Sequence, residues 1–178
     1  MTTTNRVSYR LLFAIAIVLF AMDQLTKMWI YNNLPLDSYF YPDSIEVVKG
    51  FFYIVHIGNE GAAWGILSGY SSWLALLALL ALVAIYRFRH TLELDRPIIQ
   101  FSFGLLIGGI IGNLIDRLIH GHVIDFLDFH FPCSIPWLMP DGRYPAFNIA
   151  DCGIVIGTLL YVACSFIGSG ESDAVEDK

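Results

Sequence analysis

GLLIGGIIGNLIDRLIHGHVIDFLD, residues 104–128, runs from an uncharged, glycine-rich segment straight into Asn113, Asp116, Arg117 and Asp125. The first half is apolar enough to lie in hydrocarbon, and the second half sets charged groups where such a segment ends. Ionisable side chains at membrane depth are costly, so a set of them marks a site by default. A second stretch, FNIAD at 147–151, places Asn148 and Asp151 three residues apart at the head of another apolar run, on one helical face. Read together, the two stretches put Asp125 and Asp151 at the ends of two helices able to meet.

The rest of the chain agrees with a membrane setting. Mean hydropathy is +0.62, and only 15% of residues are charged, against ~25% in an ordinary soluble domain. Four apolar segments are long enough to cross a bilayer: about 11–31, 66–86, 97–117 and 149–169. In the third, the charge-free run from Pro97 to Ile115 spans roughly 29 Å at helical rise. These boundaries predict an all-α membrane fold, a four-helix bundle in one domain over 1–170, with 171–178 as a polar cytoplasmic tail. Glu171, Ser172, Asp173, Glu176 and Asp177 make that tail read as a short disordered end. A cleavable signal peptide is a poor reading of Arg6, Arg10 and the apolar Leu11 to Met22, because the run continues into Asp23 with no small-residue cleavage pattern.

Between the first two spans, residues 32–60 turn polar and irregular around Pro35, Pro42, Asp43 and Gly50, and then reach FFYIVHI at 51–57. The β-branched and aromatic content of that heptad predicts a strand, and so a small sheet on the membrane surface. Within the first span, Asp23 and Lys27 are four apart in the order acid then base, which suits a local ion pair at the interface; either side chain could also face the site. Gly104, Gly108 and Gly112 recur every fourth residue and Gly153 and Gly157 repeat the interval, a spacing that lets helices three and four approach closely.

Orientation follows from lysine and arginine near span ends. Arg6, Arg10, Arg87, Arg89, Arg96 and Lys178 fall on one side, which is predicted to be cytoplasmic with both termini; Asp125 and Asp151 are then at the outer face. The three cysteines cannot close a disulfide set. Cys152 and Cys164 read as small packing residues, Cys133 lies in a loop, and no CxxC or histidine-rich spacing supports a metal.

Two carboxylates held within a few ångströms cannot both ionise cheaply, so one keeps a proton while the other acts as base. Such a pair can activate water against a peptide carbonyl and protonate the leaving amine, as in an aspartic protease. On this chemistry alone an ion or proton relay through Asp116, Asp125 and Asp151 stands beside the protease, as does a scaffold assembled through the glycine faces. A relay needs acids spread across the membrane, whereas these cluster towards one face.

Five short motifs, in order along nearly the whole chain, resemble one family: DQLTK at 23–27, NEGAAWG at 59–65, GNLIDR at 112–117, VIDF at 123–126 and FNIAD at 147–151. The chain resembles lipoprotein signal peptidase (signal peptidase II), the aspartic endopeptidase of the bacterial inner membrane. The resemblance implies four transmembrane helices with a small extracytoplasmic sheet, and Asp125 and Asp151 as the catalytic dyad. It places Asn59, Gly61, Asn113, Arg117 and Asn148 around the site, with Asp23, Lys27 and Asp116 in support; Asp116 and Arg117 are candidates for an ion pair or a substrate contact. It implies prolipoprotein substrates carrying a diacylglyceryl-cysteine, cleavage on the amino side of that cysteine, contact with membrane lipid, and inhibition by globomycin-type compounds. No metal, organic cofactor or nucleic acid is called for. The connection HFPCSIPWLMPDGRYPA at 130–146 looks longer than is usual for the family. It reads as a surface insertion or, if Pro136, Trp137, Leu138 and Met139 dip into the interface, as a substrate gate.

Overall fold

The computed structural model of the protein describes residues 7–40, 42–62, 66–136, 139 and 141–176, with side chains through residue 166. Its elements in chain order are α1 (Arg10–Asn33), β1 (Ile45–Val48), β2 (Phe52–Asn59), α2 (Ser71–Phe88), α3 (Pro97–His120), β3 (Val123–Phe129) and α4 (Ile149–Glu176). All four helices are long and apolar enough to cross a membrane, α4 through its segment Ile149–Phe166. The fold is thus a four-helix bundle with a small open antiparallel sheet of order β1-β2-β3.

Helix α3 is the middle of the bundle, and glycine puts it there. A Cβ on Gly104 would lie 2.8 Å from Ile15 Cβ, and one on Gly108 2.7 Å from the Ala16 carbonyl, both on α1. A Cβ on Gly109 would strike the Ala150 carbonyl, while one on Gly157 would meet the Ser102 carbonyl at 2.6 Å. Of the glycines spaced every fourth residue, Gly153 and Gly157 do face α3 as expected, whereas Gly104 and Gly108 face α1, and Gly109, one residue off that stripe, makes the approach from α3 to α4. At Gly109 the nearest obstacle is a backbone carbonyl that cannot rotate away, so Gly109→Ala is expected to lower stability by ~1–3 kcal/mol. Thermal unfolding in detergent checks this; a midpoint equal to wild type would mean that α3 and α4 separate without cost.

Local chemistry sets the helix boundaries. Pro97 occupies the first turn of α3 after the extended Arg96, and Gly121 ends the helix in the left-handed region at φ 78°. Buried Gln100 of α3 accepts the first-turn Leu12 amide of α1 at 3.4 Å, a group that a helix start leaves open, and donates to the carbonyl of Leu94 in the preceding loop at 2.8 Å. Three placements differ most from expectation. α2 begins at Ser71 and not near 66, because Leu67 and Gly69 have φ 61° and 81°, which a right-handed helix cannot include. The segment 171–176, expected to be a disordered tail, continues α4 as helix, since extending a formed helix fixes few further torsions per hydrogen bond gained. Asp125, expected at a helix end, lies in the middle of β3.

That last difference decides how the site forms. Gly121 turns the chain from α3 into β3, which pairs with β2 in the register Ile57 with Asp125 and Asn59 with Val123. Beyond β3 the long connection folds back on itself: Phe131 donates to the Gly142 carbonyl, Tyr144 to Phe129, and Leu127 and Phe147 exchange hydrogen bonds of 2.8 and 3.1 Å. Phe52, Phe129 and Phe147 stack in sequence across these neighbouring segments, with ring separations of 4.6 and 5.8 Å. The returning chain thus delivers Asn148 beside Asp125. Of the suggested gate, Trp137 and Leu138 lie outside the described residues, Pro136 is exposed and Met139 is buried.

Candidate active site

The motif FNIAD builds the start of α4. Asn148 Oδ1 accepts the Asp151 amide at 2.9 Å and Asp151 Oδ2 accepts the Asn148 amide at 3.2 Å, the reciprocal arrangement of a capping box. Between them the Ala150 amide donates to Asp23 Oδ1 of α1 at 2.9 Å. The amides of Asn148, Ala150 and Asp151 at the helix start are met by side chains, which lets a helix begin in a buried place.

Lys27 is the hub beneath this helix start. Its Nζ lies 2.8 Å from Asp23 Oδ2, 2.8 Å from Asp116 Oδ2 and 2.9 Å from Asn113 Oδ1, one acceptor for each ammonium hydrogen. All four side chains are buried. Asp116 also accepts the Ile124 amide of β3 at 3.1 Å and Gln24 Nε2 at 3.0 Å, so α1, α3 and β3 are tied at one point. Asp23 and Lys27 do form the expected i,i+4 pair, but inside the bundle and with a third charged member. Asp116 does not pair with Arg117. The guanidinium instead donates to the carbonyls of Gly61 at 2.9 Å and Asn113 at 3.4 Å, because successive residues on a helix point in different directions.

The lysine also orients an amide. An ammonium has only hydrogens to offer, so Asn113 must turn Oδ1 to Lys27, and Nδ2 then donates to Asp151 Oδ1 at 2.7 Å. Asn148 Nδ2 donates to Asp125 Oδ1 at 2.7 Å, and Asn59 Nδ2 to Asp125 Oδ2 at 2.9 Å. Asn59 is itself held by the Gly61 amide at 2.9 Å. Asn148 therefore bonds both aspartates, to Asp125 through its side chain and to Asp151 through its capping pair. Burial first, and the neighbouring Asp151 charge second, push Asp125 up to about 7.

Asp125 and Asp151 open into a cavity of about 940 Å³. Asn59, Gly61, Asn113 and Arg117 line it with polar groups, Ile154, Val155 and Ile156 of α4 with apolar ones, and Tyr39 and Arg143 border it as well. Every residue singled out in the sequence for this site falls within this one network, though Ala63, Trp64 and Gly65 of the second motif lie outside the described residues. Sequence reasoning did not single out Gln24, Tyr39, Asp128 or Arg143. Gln24 was signalled by standing between Asp23 and the polar turn of Lys27, but nothing local marks the other three. Cys152, read as a packing residue, is half-buried and lines the cavity.

The comparisons with known proteins bear on the whole chain. Residues 15–167 match the family model described as Signal peptidase (SPase) II. The lipoprotein signal peptidase of Nostoc punctiforme is 36% identical over 164 residues, covering 90% of this chain and 92% of that protein. That of Shewanella baltica is 35% identical over 169 residues, covering 91% and 90%. Two bacterial membrane enzyme structures solved by the in meso method are similar in fold: one has a TM-score of 0.76 at 31% identity over 90% of each chain, the other 0.68 at 32% identity over 86% and 90%. With four membrane-length helices, matching motifs from the first span to the last and this extent of similarity, the chain belongs to the signal peptidase II family.

Proposed function

We propose that this protein removes signal peptides from prolipoproteins, cutting on the amino side of a cysteine that carries a diacylglyceryl group, with Asp125 and Asp151 as an aspartic dyad. The observation that carries the reading is Asn148 bonding both carboxylates, which line one cavity of mainly apolar surface with a set of polar groups. The apolar surface suits the lipid chains and the signal peptide, and the polar groups suit the scissile amide. A proton relay is disfavoured because Asp23, Asp116, Asp125 and Asp151 gather in a single network at one end of the bundle.

In the proposed cycle Asp125 holds the proton and Asp151, at a helix start that favours an anion, is the base. Water attacks the carbonyl carbon and gives a proton to Asp151, while Asp125 protonates the carbonyl oxygen, forming a gem-diol. Asp151 then protonates the cysteine nitrogen as the carbon–nitrogen bond breaks, and a gem-diol hydroxyl returns a proton to Asp125. The products are a signal peptide with a free carboxyl group and a lipoprotein with a free amino-terminal cysteine. Arg117, fixed by the Gly61 and Asn113 carbonyls, is assigned to substrate contact.

The reading includes a topology. Arg87, Arg89 and Arg96 lie at the opposite ends of their spans from the aspartates, so the positive-inside rule puts both termini in the cytoplasm and the dyad at the outer face of the inner membrane. The scissile bond then meets water while the acyl chains remain in lipid.

Incubating the detergent-solubilised protein with a diacylglyceryl-modified prolipoprotein should yield a product beginning at the lipidated cysteine, and globomycin should block it. No cleavage, or cleavage at another bond, removes the proposal. The pH dependence is specific. Asp125 must be protonated to act as acid, and it loses its proton as pH rises through about 7. Above that point kcat/KM should fall about tenfold per unit, with an apparent value belonging to the pair. A rate that climbs steadily between pH 7 and 9 would contradict it.

A further inference from the structure

On the connections outside the helices, Tyr39 and Arg143 form a rim of the cavity held by an ion pair outside the dyad network. Asp128 is fully buried, and accepts Arg143 Nε at 2.8 Å and Nη2 at 2.7 Å, with His130 Nε2 at 2.9 Å from the same carboxylate. The guanidinium carbon lies 4.6 Å over the Tyr39 ring, and both Arg143 and Tyr39 line the cavity. This side-on pairing occupies two of the three guanidinium nitrogens, and among the described residues the Nη1 hydrogens have no acceptor, which leaves them for a substrate group. Gly142, at φ 73°, seats the arginine: a Cβ there would collide with the Phe131 carbonyl, so the turn that presents Arg143 needs glycine.

Depth says what passes this rim. Ile154 to Ile156 lie five to seven residues into α4, about 8–10 Å below its start, whereas Tyr39 and Arg143 belong to connections beyond the helix ends. A chain whose signal peptide and acyl groups occupy the α4 side, and whose cut bond lies at Asp125 and Asp151, leaves the membrane past Tyr39 and Arg143. We propose that Arg143, pinned by Asp128 and laid over Tyr39, is a specificity-determining residue that hydrogen-bonds the main chain of the polypeptide following the lipidated cysteine. This rests on the peptidase reading above. Recognition through main-chain carbonyls tolerates varied side chains, as a cleavage enzyme with many substrates requires.

The test uses two synthetic substrates with the same signal peptide and diacylglyceryl-cysteine, one continuing for several uncharged residues and one ending at the cysteine as its amide. One charge-assisted hydrogen bond gives the wild type about a tenfold preference in kcat/KM for the longer substrate. Arg143→Gln should bring that ratio close to one, through a higher KM for the longer substrate. Tyr39→Leu, which leaves the ion pair in place, should lower the same ratio and covers the case in which Arg143→Gln does not fold. A wild type without preference, or a ratio that both variants preserve, overturns the inference while leaving the peptidase reading standing. A wild type that cuts neither substrate defeats that reading, and this inference with it.

Discussion

Asp125→Asn is expected to slow prolipoprotein cleavage by about a thousandfold or more, the scale on which a positioned acid or base contributes. An amide can accept a hydrogen bond from Asn59 or Asn148 but cannot deliver a proton to the carbonyl oxygen. Asp151→Asn should cost a similar factor, because an amide in its place cannot take the proton from water. The double variant should be little worse than either single one, since the two groups act as a unit. The loss is chemical and not structural: the variant keeps the shape of a buried side chain and removes a carboxyl group that burial already opposes. The thermal midpoint in detergent should therefore stay within a few degrees of wild type. Full activity in either single variant would remove the dyad from the mechanism, whatever the fold.

Lys27→Met should have the largest effect on stability. The ammonium is 2% exposed and is held between Asp23 and Asp116, which are themselves buried. Removing it leaves two carboxylates facing one another without a cation, a change that typically costs ~3–5 kcal/mol. The same substitution frees Asn113, whose amide is oriented by the lysine and in turn donates to Asp151. Activity should fall in the fraction that remains folded. The triple variant Lys27→Met, Asp23→Asn, Asp116→Asn separates the two effects. With no uncompensated charge left it should recover most of the thermal midpoint, yet remain slow because the cue that orients Asn113 is gone. If the single variant melts with wild type, the buried triad is not what holds α1 to α3 at this end.

Much of this protein was legible in its sequence because the signals are local. An uninterrupted apolar run has to be a span, since a helix satisfies its own backbone groups in lipid. Pro97 marks the start of α3, and FFYIVHI marks a strand, from torsional preferences that need no partner. FNIAD puts Asn148 and Asp151 on one helical face within five residues. The placement of the acids at one end was equally plain, because it follows from where the apolar runs stop.

What the tertiary structure decided is which of these ends touch, and on which element each acid rides. Asp125 stands on a strand and not a helix, because Gly121 reverses the chain and β2 offers an edge to pair with; the hairpin return through Phe147 then carries Asn148 to its side. Asp116 takes Lys27, 89 positions away in the chain, and ignores its neighbour Arg117. Asp128 and Arg143 find each other across the long connection with no periodicity to announce it. Pairing at long range depends on the packing of whole elements, which in α3 is set by how close each glycine lets another backbone come. The sequence alone determined the groups available and the end of the bundle they occupy; only the folded chain assigned them to a carboxylate pair, an ion-pair hub and a rim.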